Sequence, residues 1–147
     1  MSTIVVGVDG SEGAREALRF ALEEAKLRGS TVRAVHVWRY LPAGTGYFEV
    51  GLRDLDLDVG ELQRAAEASL ESSVAAVAGE NPGVEIEQRV VEGPAAGALV
   101  DESQDADLLV VGSRGHGGFT GLLLGSVSQQ VANHAACPVV IVRKRKE

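Results

Sequence analysis

The stretch DLLVVGSRGHGGFTGLLLGSV, residues 107–127, predicts a buried strand, a glycine-rich loop and the start of a helix. Four consecutive apolar residues, 108–111, indicate the strand. Six glycines then lie between positions 112 and 125, and a helical pattern resumes at Ser126. Glycine has no side chain to keep an anion away from the backbone, and the first amides of a helix have no internal partner. The stretch therefore predicts a site for a phosphate group.

The spacing of three glycines distinguishes this loop from better-known nucleotide motifs. Two residues separate Gly112 from Gly115, and nine more precede Gly125, which is followed by Ser126. No lysine follows the last glycine, as it would in a P-loop, and the dinucleotide pattern G-x-G-x-x-G does not occur in the chain. The alternative interpretation is a flexible surface loop whose glycines only tolerate disorder.

The rest of the chain repeats a strand-then-helix pattern. Apolar runs predict strands at residues 4–8, 31–38, 84–91, 108–111 and 139–142, and amphipathic patterns predict helices at residues 11–29, 61–78, 94–103 and 126–135. This alternation predicts an α/β fold with a doubly wound, Rossmann-like five-stranded parallel sheet in the order 3-2-1-4-5 and helices on both faces. At 147 residues, the chain has the size of a single domain, 1–147. The strand at 84–91 carries many polar residues, as expected at a sheet edge.

The predicted strand order brings two distant segments to one crevice. The first and fourth strands become neighbours, and Asp9 and Gly112 stand at their carboxyl ends. Ligands of doubly wound sheets bind in this crevice, so both residues are candidates for ligand contact. Asp9 and Ser126 each have a second interpretation as a helix cap, because Asp and Ser commonly accept backbone N–H bonds at helix starts.

A long irregular segment, residues 39–59, interrupts the pattern after the second strand. It contains Tyr40, Tyr47 and Phe48, which either cover a base at the mouth of a site or pack against the next helix. Its acidic run DLDLD lacks the glycine and the distal glutamate of a calcium loop, so we interpret it as a solvated surface.

Composition limits the class of partner and the compartment. The formal net charge of −7 argues against a general nucleic-acid or anionic-membrane binder. The single cysteine, Cys137, cannot form an internal disulfide, and no signal peptide or membrane-spanning run is evident. We therefore expect a cytoplasmic protein. His36, His116 and His134 show no metal-site spacing, and the first and last of them are expected to be structural.

Several segments resemble, in the expected order, those of the universal stress protein family, and the glycine spacing resembles that of its ATP-binding members. The similar segments are VVGVDGSEGAREAL, HVW, VEGPAAGALV, DLLVVGSRGHGG and HAACPVVIVR. The resemblance implies ATP at the carboxyl end of the sheet, with Asp9 beside the adenosine and Val37 near the adenine. It further implies that phosphates and ribose contact Gly112, Gly115, Gly125, Ser126 and Val127. Arg114 and His116 are candidates for additional phosphate contacts, and any Mg²⁺ would arrive with the nucleotide.

The last strand predicts self-association. Residues 139–142 are all apolar, yet the order 3-2-1-4-5 puts them at an edge, where such a strand favours pairing with another chain. We therefore expect a homodimer through the strand Val139–Val142, as the resemblance also implies.

The sequence thus predicts an ATP-binding stress-response module that acts as a homodimer and has no assigned catalytic residue. Two alternatives remain open. One is slow ATP hydrolysis or phosphoryl transfer, for which Arg114 and His116 are the nearest candidate groups. The other is a preference for AMP or a cyclic nucleotide.

Overall fold

The computed structural model describes residues 2–39, 59–113 and 124–143. The described strands are β1 Thr3–Gly7, β2 Thr31–Trp38, β3 Ile86–Glu92, β4 Leu108–Gly112 and β5 Val139–Val142. The described helices are α1 Glu12–Arg28, α2 Val59–Ala78, α3 Ala95–Glu102, which continues into a 3₁₀ turn at Ser103–Asp105, and α4 Ser126–His134. All five strands are parallel, in the order β3-β2-β1-β4-β5, which confirms the predicted fold.

Alternate residues of the central strands enter two separate cores. On one face, Ile4 and Val6 of β1 pack with buried residues of α1 and α2. On the other face, Val5 packs with Leu99 of α3 and Val131 of α4. Because both faces of β1 and β4 are covered, their sequences read as continuous apolar runs. The sheet is therefore buried between two helical layers, and its carboxyl edge carries the candidate site.

Most predicted boundaries hold within two residues. Gly29 ends α1 in the left-handed conformation, with φ of 67°. The strand predicted at 84–91 instead runs from Ile86 to Glu92, because the chain is still turning at Gly83, where φ is 97°. This strand does lie at the sheet edge, as its polar residues predict.

Pro94 is the N-cap residue of α3, a position at which its missing N–H costs no helical hydrogen bond. Within the described ranges, none of the helices is long and apolar enough to cross a membrane.

Candidate functional site

The carboxyl end of β1 is fixed to β2 by two hydrogen bonds at Val8. The Val8 amide donates to the Val35 carbonyl oxygen at 2.8 Å, and the ring Nδ1 of His36 lies 2.8 Å from the Val8 carbonyl oxygen. A carbonyl oxygen can only accept, so Nδ1 of His36 carries the hydrogen. His36 thus has the structural role that the sequence predicts, and the two bonds position the next residue, Asp9.

Asp9 is exposed and organises the turn into α1. Its Oδ1 accepts hydrogen bonds from the Ser11 amide at 2.9 Å and from the Ser11 hydroxyl at 2.5 Å. Ser11, not Asp9, is the N-cap of α1, because its Oγ accepts the Ala14 N–H at 3.2 Å. The alternative interpretation of Asp9 as the cap itself is therefore wrong. Its carboxylate holds the capping residue and stays exposed at the sheet rim.

Gly112 ends β4 directly against the first turn of α1. A Cβ atom at this position would lie 2.9 Å from the carbonyl oxygen of Gly13 and 3.0 Å from its carbonyl carbon. Only glycine fits such a contact without movement of one backbone or the other. The end of β4 therefore packs directly against the first turn of α1, which follows the turn that Asp9 organises.

Ser113, which follows β4, and Gly125, which precedes α4, are joined by a hydrogen bond. The Gly125 amide donates to the Ser113 carbonyl oxygen at 2.6 Å, and the Ser113 amide donates to the Val142 carbonyl oxygen at 2.9 Å. These bonds hold the end of β4, the end of β5 and the start of α4 together.

The first turn of α4 offers backbone amides at the same rim. Its N-cap is Gly125, which has no side chain to make a capping bond, so the alternative interpretation of Ser126 as the cap is wrong. The Gln129 amide donates to the Gly125 carbonyl oxygen at 3.0 Å. The amides of Ser126 and Val127 precede this helical bond and so have no partner within the helix. Ser126 is exposed, whereas Val127 is half-buried.

A cavity of about 330 Å³ lies between the end of β2 and the starts of α3 and α4. Val37 and Val127, both predicted site residues, share its wall. The other lining residues are Trp38, Arg39, Gly93, Pro94, Ala95, Ala96 and Gln130. Asp9 is not among them. Asp9 and Gly112 lie at the carboxyl ends of the neighbouring strands β1 and β4, whereas Val37 and Val127 line the cavity.

The sequence reasoning missed the part of this wall that comes from α3 and the second turn of α4. Two signals could have found it. The predicted sheet order places the segment after β3 beside the end of β2, and one helical turn separates Gln130 from Val127.

Some predicted residues lie outside the described part of the chain. These are Arg114, Gly115 and His116 of the glycine-rich segment, together with Tyr40, Tyr47 and Phe48. Among the residues that are described, no group of three or more His, Cys, Asp or Glu side chains could hold a metal ion.

Comparison with known proteins places this geometry in context. Residues 1–143 match the sequence model of the universal stress protein family. A universal stress protein of Mycolicibacterium smegmatis is 37% identical over 143 residues, which are 97% of this chain and 46% of that protein. The chain therefore spans about half the length of the curated relatives it matches.

Solved structures give a similar picture. The UspA protein of Lactobacillus plantarum shares the fold, with a TM-score of 0.76 at 24% identity over 97% of both chains. A universal stress protein solved in complex with cAMP is 29% identical, with a TM-score of 0.60 over 97% of this chain and 96% of that one. A universal stress protein of Archaeoglobus fulgidus solved with dAMP is 27% identical, with a TM-score of 0.55 over 96% and 97% of the two chains.

Proposed function

Because this chain belongs to the universal stress protein family, we propose that it binds an adenine nucleotide, with ATP as the principal ligand, and that occupancy regulates its contacts in a stress response. The observation that carries the proposal is a continuous path of contacts between two distant segments. Asp9 bonds Ser11, the first turn of α1 touches Gly112, and Ser113 bonds Gly125. One rim thus presents a carboxylate and helix-start amides that have no partner within α4.

The chemistry of each part matches one part of a nucleotide. The apolar walls supplied by Val37 and Val127 suit a purine ring, and the exposed carboxylate of Asp9 can accept hydrogen bonds from ribose hydroxyls. The amides of Ser126 and Val127, which have no partner within α4 and lie at the positive end of its dipole, suit a phosphate group. Gly112 keeps the rim clear of side chains beside α1.

The two nucleotide-bound relatives support the ligand class. One was solved with cAMP and the other with dAMP, and both share more than a quarter of their residues with this chain. Roles for Arg114 and Gly115 in holding the further phosphates remain predictions from the glycine spacing, as does Mg²⁺ bound through those phosphates.

Calorimetric titration with ATP tests the proposal. We expect wild-type protein to bind ATP and Asp9→Ala to bind at least about tenfold more weakly, because a ribose partner is lost. Asp9→Ala also disturbs the turn, so Ser11→Ala is the control: it removes the hydroxyl bond to Asp9 and the α1 cap but keeps the carboxylate and its bond from the Ser11 amide. Absence of ATP binding to the wild type at millimolar nucleotide would refute the proposal, and equal losses in both variants would refute the role of Asp9.

Titration with AMP and cAMP in competition with ATP separates the ligand alternatives. If backbone amides also contact the second and third phosphates, ATP should bind more tightly than AMP. Tighter binding of cAMP than of ATP would identify a cyclic-nucleotide-binding protein. Slow hydrolysis is tested by phosphate release from the wild type and from Gly115→Val. Turnover that persists in the variant would come from a contaminant.

We also propose that the protein assembles as a homodimer through β5. The Leu109 amide donates to the Pro138 carbonyl oxygen, and the Ser113 amide donates to that of Val142. Because a parallel strand alternates the side to which it bonds, the main-chain groups of Ile141 point away from β4. Both faces of β5 pack against the cores, so its outer edge is the surface left for pairing.

A proline substitution tests this assembly without removing a sheet bond inside the protomer. We expect Ile141→Pro to be monomeric by light scattering at micromolar concentration, because it lacks the outward N–H. Ile141→Ala is the control, since it loses apolar bulk but keeps that N–H. A monomeric wild type, or a dimeric proline variant, would contradict the proposal.

A further inference from the structure

Ser128 is a buried hydroxyl that bridges the two ends of the glycine-rich segment. It lies in the first turn of α4 and is 2% exposed. Its Oγ lies 2.9 Å from the Ser113 carbonyl oxygen and 3.0 Å from the Gly125 carbonyl oxygen. The second contact is the ordinary one between a helical serine and the turn before it. The first joins the helix to the end of β4, so Ser128 fastens two elements that the segment separates.

The Ser113 peptide is held from three directions as a result. Its carbonyl oxygen accepts from the Gly125 amide at 2.6 Å and from the Ser128 hydroxyl, and its own amide donates to the Val142 carbonyl oxygen. A carbonyl oxygen has two lone pairs, and here both are used. We call the three residues Ser113, Gly125 and Ser128 the neck of the segment. The hydrogen bonds that close the neck are all made by the protein's own groups.

We propose that Ser128 is a positioning residue for nucleotide binding. By tying α4 to the end of β4, its hydroxyl sets where the amides of Ser126 and Val127 stand relative to Gly112 before the ligand arrives. A binding surface that is ordered in advance does not have to be ordered by the ligand, and it therefore binds more tightly. The Ser128 hydroxyl bonds to backbone carbonyl oxygens within the neck, so we propose that it acts on the ligand only through the backbone that it holds in place. This inference rests on the proposed function.

The neck predicts an effect that depends on the phosphates of the ligand. The amides that Ser128 positions are those proposed to contact phosphate, whereas the base and ribose are proposed to contact Val37, Val127 and Asp9. Loss of the hydroxyl should therefore weaken ATP binding far more than adenosine binding, because adenosine is proposed to contact α4 only through the side chain of Val127. A serine that only stabilised the fold would weaken both ligands equally or neither of them.

The experiment measures ATP and adenosine affinities for four proteins by calorimetry. We expect Ser128→Ala to weaken ATP about tenfold or more and adenosine by less than about twofold. Ser128→Thr keeps the hydroxyl and should restore ATP binding to within about threefold of the wild type. Ser73→Ala, which removes a buried serine hydroxyl from α2, is the matched control and should change neither affinity. If Ser128→Ala does not fold, Ser128→Cys, a weak donor of similar size, replaces it.

Amide hydrogen exchange on the nucleotide-free protein tests the neck directly. We expect the Gly125 amide to exchange slowly in the wild type and about tenfold faster in Ser128→Ala, while amides of the α1 core keep their protection. Unchanged ATP affinity in Ser128→Ala, or equal losses of ATP and adenosine, would overturn the inference. Failure of the wild type to bind any nucleotide would instead refute the proposed function, and the exchange rates would still report whether the hydroxyl closes the neck.

Discussion

Substitution of Gly112 tests whether the contact between β4 and α1 needs a residue without a side chain. In Gly112→Ala, the new Cβ atom would lie 2.9 Å from the carbonyl oxygen of Gly13, which belongs to the backbone and cannot turn away. Either α1 or the end of β4 must shift. Overpacking of this kind costs about 1–3 kcal/mol of unfolding free energy. For a chain of this size, that cost corresponds to a fall in melting temperature of roughly 2–12 °C.

Gly97→Ala provides the matched control because it makes the same chemical change in α3. A Cβ atom at Gly97 would meet nothing within 4 Å. Alanine is the better helix former, so this variant should gain up to about 0.5–1 kcal/mol. Urea denaturation of the two variants, followed by circular dichroism, measures both changes. Equal stability of Gly112→Ala and the wild type, or the same sign of change in both variants, would refute the steric argument.

Two further predictions concern groups away from the rim. Burial and the nearby Asp107 carboxylate raise the pKa of the Cys137 thiol. Because a raised pKa leaves less thiolate at a given pH, Cys137 in the folded protein should react with iodoacetamide more slowly than free cysteine at pH 8. The difference should disappear in urea, and equal rates for the folded protein and free cysteine would contradict the prediction. Arg33→Ala should lower the unfolding free energy by about 1–3 kcal/mol, measured by urea denaturation, because the side chains of Arg33 and its partner Glu102 are each only 13% exposed. Arg28→Ala, which breaks an exposed pair, should cost about 0.5 kcal/mol or less, and similar costs for the two arginine variants would contradict the difference in burial.

The sheet could be predicted from the sequence because its signals are local. Each signal lies within or next to the element that it predicts: the apolar runs of β1 and β4, the left-handed glycine after α1 and the polar residues of β3. Strand order then follows from the few arrangements that alternating strands and helices allow. The placement of Asp9 and Gly112 at the same end of two neighbouring strands could be inferred from that order alone.

The details of the site could not be predicted because they depend on contacts between distant residues. Nothing near Gly112 in the sequence indicates that Gly13 lies against it. Asp9 and Ser11 are both good capping residues, and only the geometry shows that Ser11 is the cap. Ser128 looks like an ordinary helical serine until the carbonyl of Ser113 is placed beside it.

The two edges of the sheet differ in composition, and this difference limits how many chains can add to the sheet through edge-strand pairing. β5 carries four apolar residues, whereas β3 exposes Glu87, Gln88 and Arg89. Two protomers joined at β5 would form one continuous ten-stranded layer whose outer margins are both β3. Charged side chains on an outer strand discourage the addition of another chain. Such an assembly would terminate itself at two copies and resist extension into fibres.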